Sequence, residues 1–330
     1  MSNANPAAPG ASHPPAGGLA HLLLRLSAAP MGIGGLGLAW RAAGPALGAP
    51  KIVGEVLLGL AAAVWLLILA LHVVRAMRHP EALSGDLKHP IRSAFVGAVT
   101  IGLMIIAGGL IPYARGLASG VWIVAVVVHL AIGIWTVRGL LTAPREAATL
   151  TPPLLIPMVG NILAPVIGAK LGFHDLSWGL FGLGALLWVL IQPSIINRIA
   201  TGPTMPDKLK PTLAILLAPP AVGSIALANL TGGFGPGPSA IYGLAAFVAA
   251  VLLTITPIFR RIPFAMSWWG YTFPSAAFSV ATSAFTLGHP SGAMVVVSWT
   301  VLALASAIVT LVAIATLKAA AGGHLLVPEG

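Results

Sequence analysis

The chain has no cysteine, which excludes disulfides, thiolate metal sites and cysteine nucleophiles together and leaves the redox compartment open. Acidic residues are nearly as scarce. Seven Asp and Glu are spread over 330 residues, with no paired carboxylates, no Asp-rich prenyl-diphosphate motif and no His/Glu cluster to hold a metal. An enzyme reading has no chemistry to rest on, and no cofactor is implied. The Gly-rich run at 31–37 has no strand before it and no Lys-Ser/Thr after it, so it reads as a small-residue packing face rather than a phosphate cradle.

What the chain has in excess is apolar surface. Hydrophobic residues make up 58% and charged residues 7%, with a mean hydropathy of +0.97, more than one soluble core can bury. Lipid must cover most of it. Ten apolar runs stand at 19–40, 52–74, 92–110, 118–140, 153–169, 176–199, 211–230, 239–259, 264–287 and 291–317. Each is close to the roughly 17–25 residues that cross a hydrocarbon core as helix. Proline and glycine recur inside these runs, which is common in membrane helices, where neighbours satisfy the freed carbonyls. The expected fold is all-α integral membrane with ten transmembrane helices.

Basic residues set the orientation. Thirteen of the 17 Lys and Arg fall on the amino-terminal side and in alternate loops, leaving Arg41, Lys51, Arg115 and Lys170 on the other side. Both termini are therefore expected in the cytoplasm, and the net charge of +10 reads as topology, not nucleic-acid binding. Residues 1–18 are Ala/Pro/Gly-rich and carry no Lys or Arg. They lack the basic start of a signal peptide and are expected to form a disordered cytoplasmic tail.

Prolines reveal a repeat. Pro165, Pro220 and Pro274 lie 55 and 54 residues apart, each in an odd-numbered run, and Pro30 interrupts the first run in the same way. The third run has Gly97, Gly102 and Gly108–Gly109 but no interior proline. A helix broken by proline exposes carbonyls and is tolerated only against protein or water. The odd helices are thus expected inside and the smoother even helices outside, as five helical hairpins around an axis; kinking that lines nothing is the competing reading.

Three stretches carry a resemblance: Pro30-Met31-Gly32-Ile33-Gly34-Gly35-Leu36-Gly37-Leu38-Ala39-Trp40-Arg41, Ile156-Pro157-Met158-Val159-Gly160-Asn161-Ile162 and Trp268-Trp269-Gly270-Tyr271-Thr272-Phe273-Pro274. In their order and separation, and within the ten-run frame, the chain resembles the tellurite-resistance/dicarboxylate transporter family, which includes the plant slow-type guard-cell anion channels. The resemblance implies a homotrimer in a lipid bilayer. Each protomer would have its own pore, lined by the five odd helices and occluded by a phenylalanine of the ninth, which matches Phe273. The implied substrates are inorganic or small organic anions, and the implied site is a bacterial inner (plasma) membrane. Residues 19–319 would form the channel domain and 320–330 a cytoplasmic carboxyl-terminal tail. The chain departs from the family at Leu26-Ser27-Ala28-Ala29, where relatives often carry an aromatic. It also lacks the long cytoplasmic tails through which kinases control the plant members, so phosphorylation gating is not expected.

On this scheme the pore-lining candidates are Pro30, Phe95, Thr100, Pro157, Asn161, Pro165, Pro220, Pro274 and Ser275, with Phe273 as the gate. No Asp, Glu, Lys or Arg lies in the middle third of any run, which disfavours coupling through a buried acid. A neutral lumen passes anions when polar groups and basic mouths offset the lost hydration. Phe273 would then act as a steric and dewetting gate; the competing reading is a packed core ring. Asn161 either faces the lumen or bonds carbonyls freed near Pro165. His72 and His129, on even helices, are packed residues or proton relays. Trp268 and Trp269 read as interfacial anchors. A channel for small monovalent anions competes with a carrier or exporter of tellurite, sulfite or dicarboxylates, which would saturate and exchange.

Reporter fusions test the orientation. A fusion at Gly235 and one at the carboxyl terminus should fall on opposite sides of the membrane; the same side for both would break the topology.

Overall fold

The structure, a computed structural model, describes residues 18–143, 145–259, 261–323 and 325. The expected tails at 1–18 and 320–330 lie largely outside these residues. Among the described residues every regular element is helical. Eight helical segments are long and apolar enough to cross a membrane. They are α2 (Lys51–Arg78), α3 (Arg92–Leu110), α4 (Arg115–Thr142), α5 (Pro152–Leu171), α6 (His174–Thr201), α7 (Asp207–Thr231), α8 (Pro236–Thr254) and α10 (Gly292–Ala321). Two more complete the set, α1 (Ala28–Leu47) and α9 (Thr272–Gly288). Glycines, two prolines and Arg41 dilute the apolar character of α1, and α9 has only 17 residues in regular α form.

The helices sort into two populations by burial. In α3, α5 and α7, 67–89% of the apolar stretch is buried, against 17–33% in α2, α4, α6, α8 and α10. The α1 residues from Ala28 to Gly37 are all buried, as is most of α9. Contacts run cyclically, α1 to α3, α3 to α5, α5 to α7, α7 to α9 and α9 back to α1, and each of these five also packs against its successor. Leu60, Leu66, Phe247 and Leu311, all on the second population, remain exposed, as lipid-facing side chains would be.

Every inner helix passes from a 3-10 stretch into α-helix: Leu24–Ser27 before α1, Arg92–Phe95 in α3, Asp207–Leu217 in α7 and Met266–Tyr271 before α9; in α5 the stretch Gly160–Ile162 interrupts the helix midway, between the α segments Leu155–Val159 and Ala164–Leu171. Pro30, Pro165, Pro219, Pro220 and Pro274 sit in the first turn of the α part that follows. There the missing N–H costs little and the fixed φ suits the helix. The α3 segment makes the same change without a proline, so the amino acid marks the transition and does not create it.

Small residues let the layers close up. A Cβ on Gly54 of α2 would lie 2.8 Å from the Gly37 carbonyl oxygen of α1, and one on Gly184 of α6 would lie 2.6 Å from the Ile162 nitrogen. Such backbone-to-backbone approach is how membrane helices gain dispersion energy without a hydrophobic drive. Polar bonds add to it. Trp65 of α2 donates to the Val99 carbonyl (2.8 Å), and Trp122 of α4 to the Ala164 carbonyl (3.0 Å). At the end that carries the amino terminus, Arg75 donates to Asp86 at 2.7 Å, and Arg92 lies 3.1 Å from the same carboxylate. His89 nearby accepts the backbone N–H groups of Ile91 and Arg92 on Nδ1. Burial, reinforced by the cations Arg92 and Arg25, lowers its pKa and favours that neutral form.

Gly54→Leu should force α1 and α2 apart at a cost of about 1–3 kcal/mol, read as a lower Tm in detergent. An unchanged Tm would mean that the crossing is not tight.

Candidate functional site

Two cavities lie among the inner helices, each lined by residues from all five. The first, about 50 Å³, is bounded by Met31, Phe95, Val159, Val222, Phe273 and Pro274 among others, with no titratable side chain in its wall. The second, about 410 Å³, is bounded by Leu38 and Arg41 of α1, Gly108 of α3, Val166 and Lys170 of α5, Asn229 of α7 and Val280 of α9.

The two walls are in register. Met31 and Leu38, Ile101 and Gly108, Val159 and Val166, Val222 and Asn229, and Phe273 and Val280 pair a residue of the first cavity with one of the second. In every pair the numbers differ by seven. In α1, α3, α7 and α9 those seven residues are two α-helical turns, a rise of about 10 Å with almost no rotation, so one face of each of these four helices borders both chambers; in α5 the step from Val159 to Val166 crosses the 3-10 stretch Gly160–Ile162. Phe273 is in the wall of the first chamber and not of the second. Its ring is 8% exposed, and a Cβ on Gly35 of α1 would meet that ring at 3.1 Å.

Of the residues expected to line a lumen, Phe95, Phe273 and Pro274 are in the wall of the first chamber. The others line neither chamber. Pro30 borders a small separate gap with Trp65 and His72. Thr100 donates to the Gly97 carbonyl at 2.9 Å and meets His129 Nδ1 of α4 at 2.7 Å. Pro157 backs onto Gly97 and Gly133, and the Asn161 amide also lies beside Gly133 of α4. Pro165 and Pro220 are buried at the starts of their α parts, and Ser275 returns its hydroxyl to the Thr272 carbonyl. The physical reason is rotation. Thr100 precedes the inward Ile101 by one residue, and each helical step turns the side chain about 100°. Pro220 is displaced in the same way from Pro219, and Ser275 from Pro274.

One tryptophan also differs from expectation, while His129 is packed, one of its two expected readings. Trp269 is no interfacial anchor: it is 2% exposed, borders the first chamber and donates to Thr316 of α10 at 3.0 Å. Trp268 packs against Phe264 and Tyr271. His129 is wholly buried on α4, its Nε2 against Gly160, where a Cβ would lie 2.5 Å away. Sequence reasoning did not single out the aliphatic liners Met31, Ile101, Val159 and Val222. Stepping seven residues along each inner helix was the signal that would have found them.

Charge enters only at the ends of the axis. In the second chamber Arg41 grips Glu55 with Nε at 3.0 Å and Nη2 at 2.5 Å, and also donates to the Gly108 and Gly109 carbonyls at 3.2 Å. Tyr113 donates to the same carboxylate at 2.9 Å, and that bond raises the Tyr113 pKa. Among the described residues no group of three or more His, Asp or Glu is placed to hold a metal.

A neutral, narrow axis with cations at its mouth suits an anion path, and the family model for voltage-dependent anion channels matches residues 21–317. The chain belongs to this family. The anion channel family covers nearly all the described helices. Among relatives, the S-type anion channel SLAH3 of Arabidopsis thaliana is 28% identical over 239 residues, 71% of this chain and 37% of that one. The guard cell S-type anion channel SLAC1 of the same plant is 24% identical over 68% of this chain and 42% of its own. The tellurite resistance protein TehA homolog of Haemophilus influenzae is 23% identical over 79% of this chain and 80% of its own. The chain thus spans about two fifths of the length of the plant relatives it matches. As a family member it is a membrane protein whose relatives are anion channels and transporters.

Thr100→Val should leave His129 Nδ1 unpaired and cost about 1 kcal/mol of stability, with anion flux per folded molecule unchanged. A changed ion selectivity in this variant would put Thr100 on the axis.

Proposed function

We propose that the protein is an anion channel that passes small monovalent anions along the axis of each protomer, with Phe273 as its gate. The observation that supports this reading is that all five inner helices line both chambers, with residues seven apart, and that Phe273 is in the wall of the first. The first chamber's wall is apolar and free of carboxylates, so an anion meets no like charge there and no acid is available for proton or sodium coupling. The barrier is then dehydration at an aromatic constriction. Anions that shed water cheaply would be preferred.

On this reading the ten helices cross the membrane as five hairpins, with both termini in the cytoplasm of a bacterial inner membrane and the outer apolar faces shared between lipid and two sister subunits of a homotrimer. The plant relatives' names support anion conduction. The name of the Haemophilus relative keeps tellurite export as the second reading. Current that rises linearly with voltage separates a channel from an exchanger.

The Phe273 ring needs to leave a rotamer well at a cost of about 1 kcal/mol to open the path. Phe273→Ala should therefore raise anion current per assembled molecule in bilayers while Tm falls little. A ring that serves only as core would instead cost about 3–5 kcal/mol and yield less protein with unchanged unitary current, and that outcome would remove the gate.

A further inference from the structure

The second chamber holds two basic side chains in very different situations. Every N–H of the Arg41 guanidinium is engaged, two by the Glu55 carboxylate and the rest by the Gly108 and Gly109 carbonyls. Tyr113 takes up the carboxylate as well. Arg41 and Glu55 thus cancel and are fixed, and the only acid beside this chamber is withdrawn from it.

Lys170 lines the same chamber, in the last turn of α5, and its ammonium has no ion pair or hydrogen bond among the described residues. Its backbone carbonyl is held by Arg115 at 2.8 Å, and Arg115 likewise has no carboxylate partner among the described residues. Lys170 is itself exposed, and the chamber it borders is also lined by Leu38, Ile111, Val166 and Val280. Apolar walls weaken screening and lengthen the reach of a charge. Four carbons of stem also allow the ammonium to follow an ion into the chamber.

We propose that the second chamber is a binding site for a small monovalent anion, with the Lys170 ammonium as its charged contact and Arg115 as the cation at its rim. The Arg41–Glu55–Tyr113 set is the device that keeps the carboxylate from competing for Lys170. About 410 Å³ holds a halide or nitrate with part of its water, so the ion is concentrated here before it loses the rest at Phe273. A single free ammonium favours one negative charge over two. The inference rests on the transport reading for its role, but the site itself is a matter of equilibrium binding.

Two measurements on purified full-length protein test it, with chloride as the probe. The first is single-channel current against chloride concentration on each side of a bilayer. The second is the rise in Tm when chloride replaces gluconate at constant ionic strength. Lys170→Gln should raise the half-saturating chloride concentration about tenfold from the face that bears Lys170 and leave the other face unchanged. It should also abolish the chloride-dependent rise in Tm. Lys170→Arg should preserve both. Normal currents with unaltered chloride dependence in Lys170→Gln overturn the site and leave the transport reading standing. A wild type that passes no anion, yet shows a Lys170-dependent rise in Tm, overturns the transport reading and leaves the site. Where the wild type conducts and the two measurements disagree, the current decides.

Discussion

In lipid, a backbone N–H or C=O that finds no partner has no water to turn to, and the arrangement of this protein depends on that constraint. Proline threatens it most, because it removes a donor and pushes the backbone out of the α region before it. Here the prolines of the inner helices are confined to the first turn of an α segment, where the helix needs no donor, and the chain before them is wound as 3-10. In α1, α3, α7 and α9 the α part that follows runs unbroken and its face stays coherent; in α5 it resumes at Ala164 after the 3-10 stretch. Coherence is what allows residues seven apart in those four helices to line both chambers.

Many polar side chains obey the same rule. Thr100 bonds His129 Nδ1 between α3 and α4, Asn229 ties α7 to the Val166 carbonyl of α5 at 2.9 Å, and tryptophans of outer helices reach inner carbonyls; His129 Nε2 and Asn161 Oδ1 are buried without a hydrogen bond among the described residues. These contacts stand at the seams between helices. The axis beside Phe273 is left to Met31, Ile101, Val159 and Val222, which bond nothing and hold no ion by themselves. Binding strength and passage are thereby separated in space: charge acts at the mouth, and the narrow part is a dry apolar sleeve.

The layered fold was legible because burial writes itself into composition. The even runs are the segments with 17–33% of the apolar stretch buried, whereas the odd runs hold the recurring prolines, and glycines of both sets serve the close packing between layers. The proline repeat pointed to the right helices, yet for a different reason from the one expected. What the sequence hid was rotation. Choosing Thr100, Asn161 and Ser275 as lumen residues rests on polarity, but a polar side chain in a membrane protein is drawn toward whichever neighbour completes its hydrogen bonds. For Thr100 that neighbour is His129, on the outer layer. Trp269 was hidden similarly, since an indole suits an interface or a buried bond equally well, and Thr316 on a helix distant in sequence decided it. The α1 and α9 segments read as spans by their neighbours more than by their own hydropathy, because an inner helix that never meets lipid is free to be rich in glycine or polar residues.

Phe273 shows why gate and core are not opposed at this position. Its ring is nearly buried, packed over Gly35 where no side chain would fit, so it contributes dispersion energy like any core aromatic. One of its sides nevertheless borders an existing void, the first chamber. A cavity is costly to the extent that well-packed walls cannot follow a removed group. At Phe273 part of the wall is absent beforehand, so removal enlarges a space instead of creating one. The same geometry makes the ring movable: a side chain enclosed on all sides has nowhere to rotate, whereas one beside a chamber can swing into it. Glycine opposite and void beside are the two conditions for an aromatic that is both packed and displaceable, and Phe273 meets both.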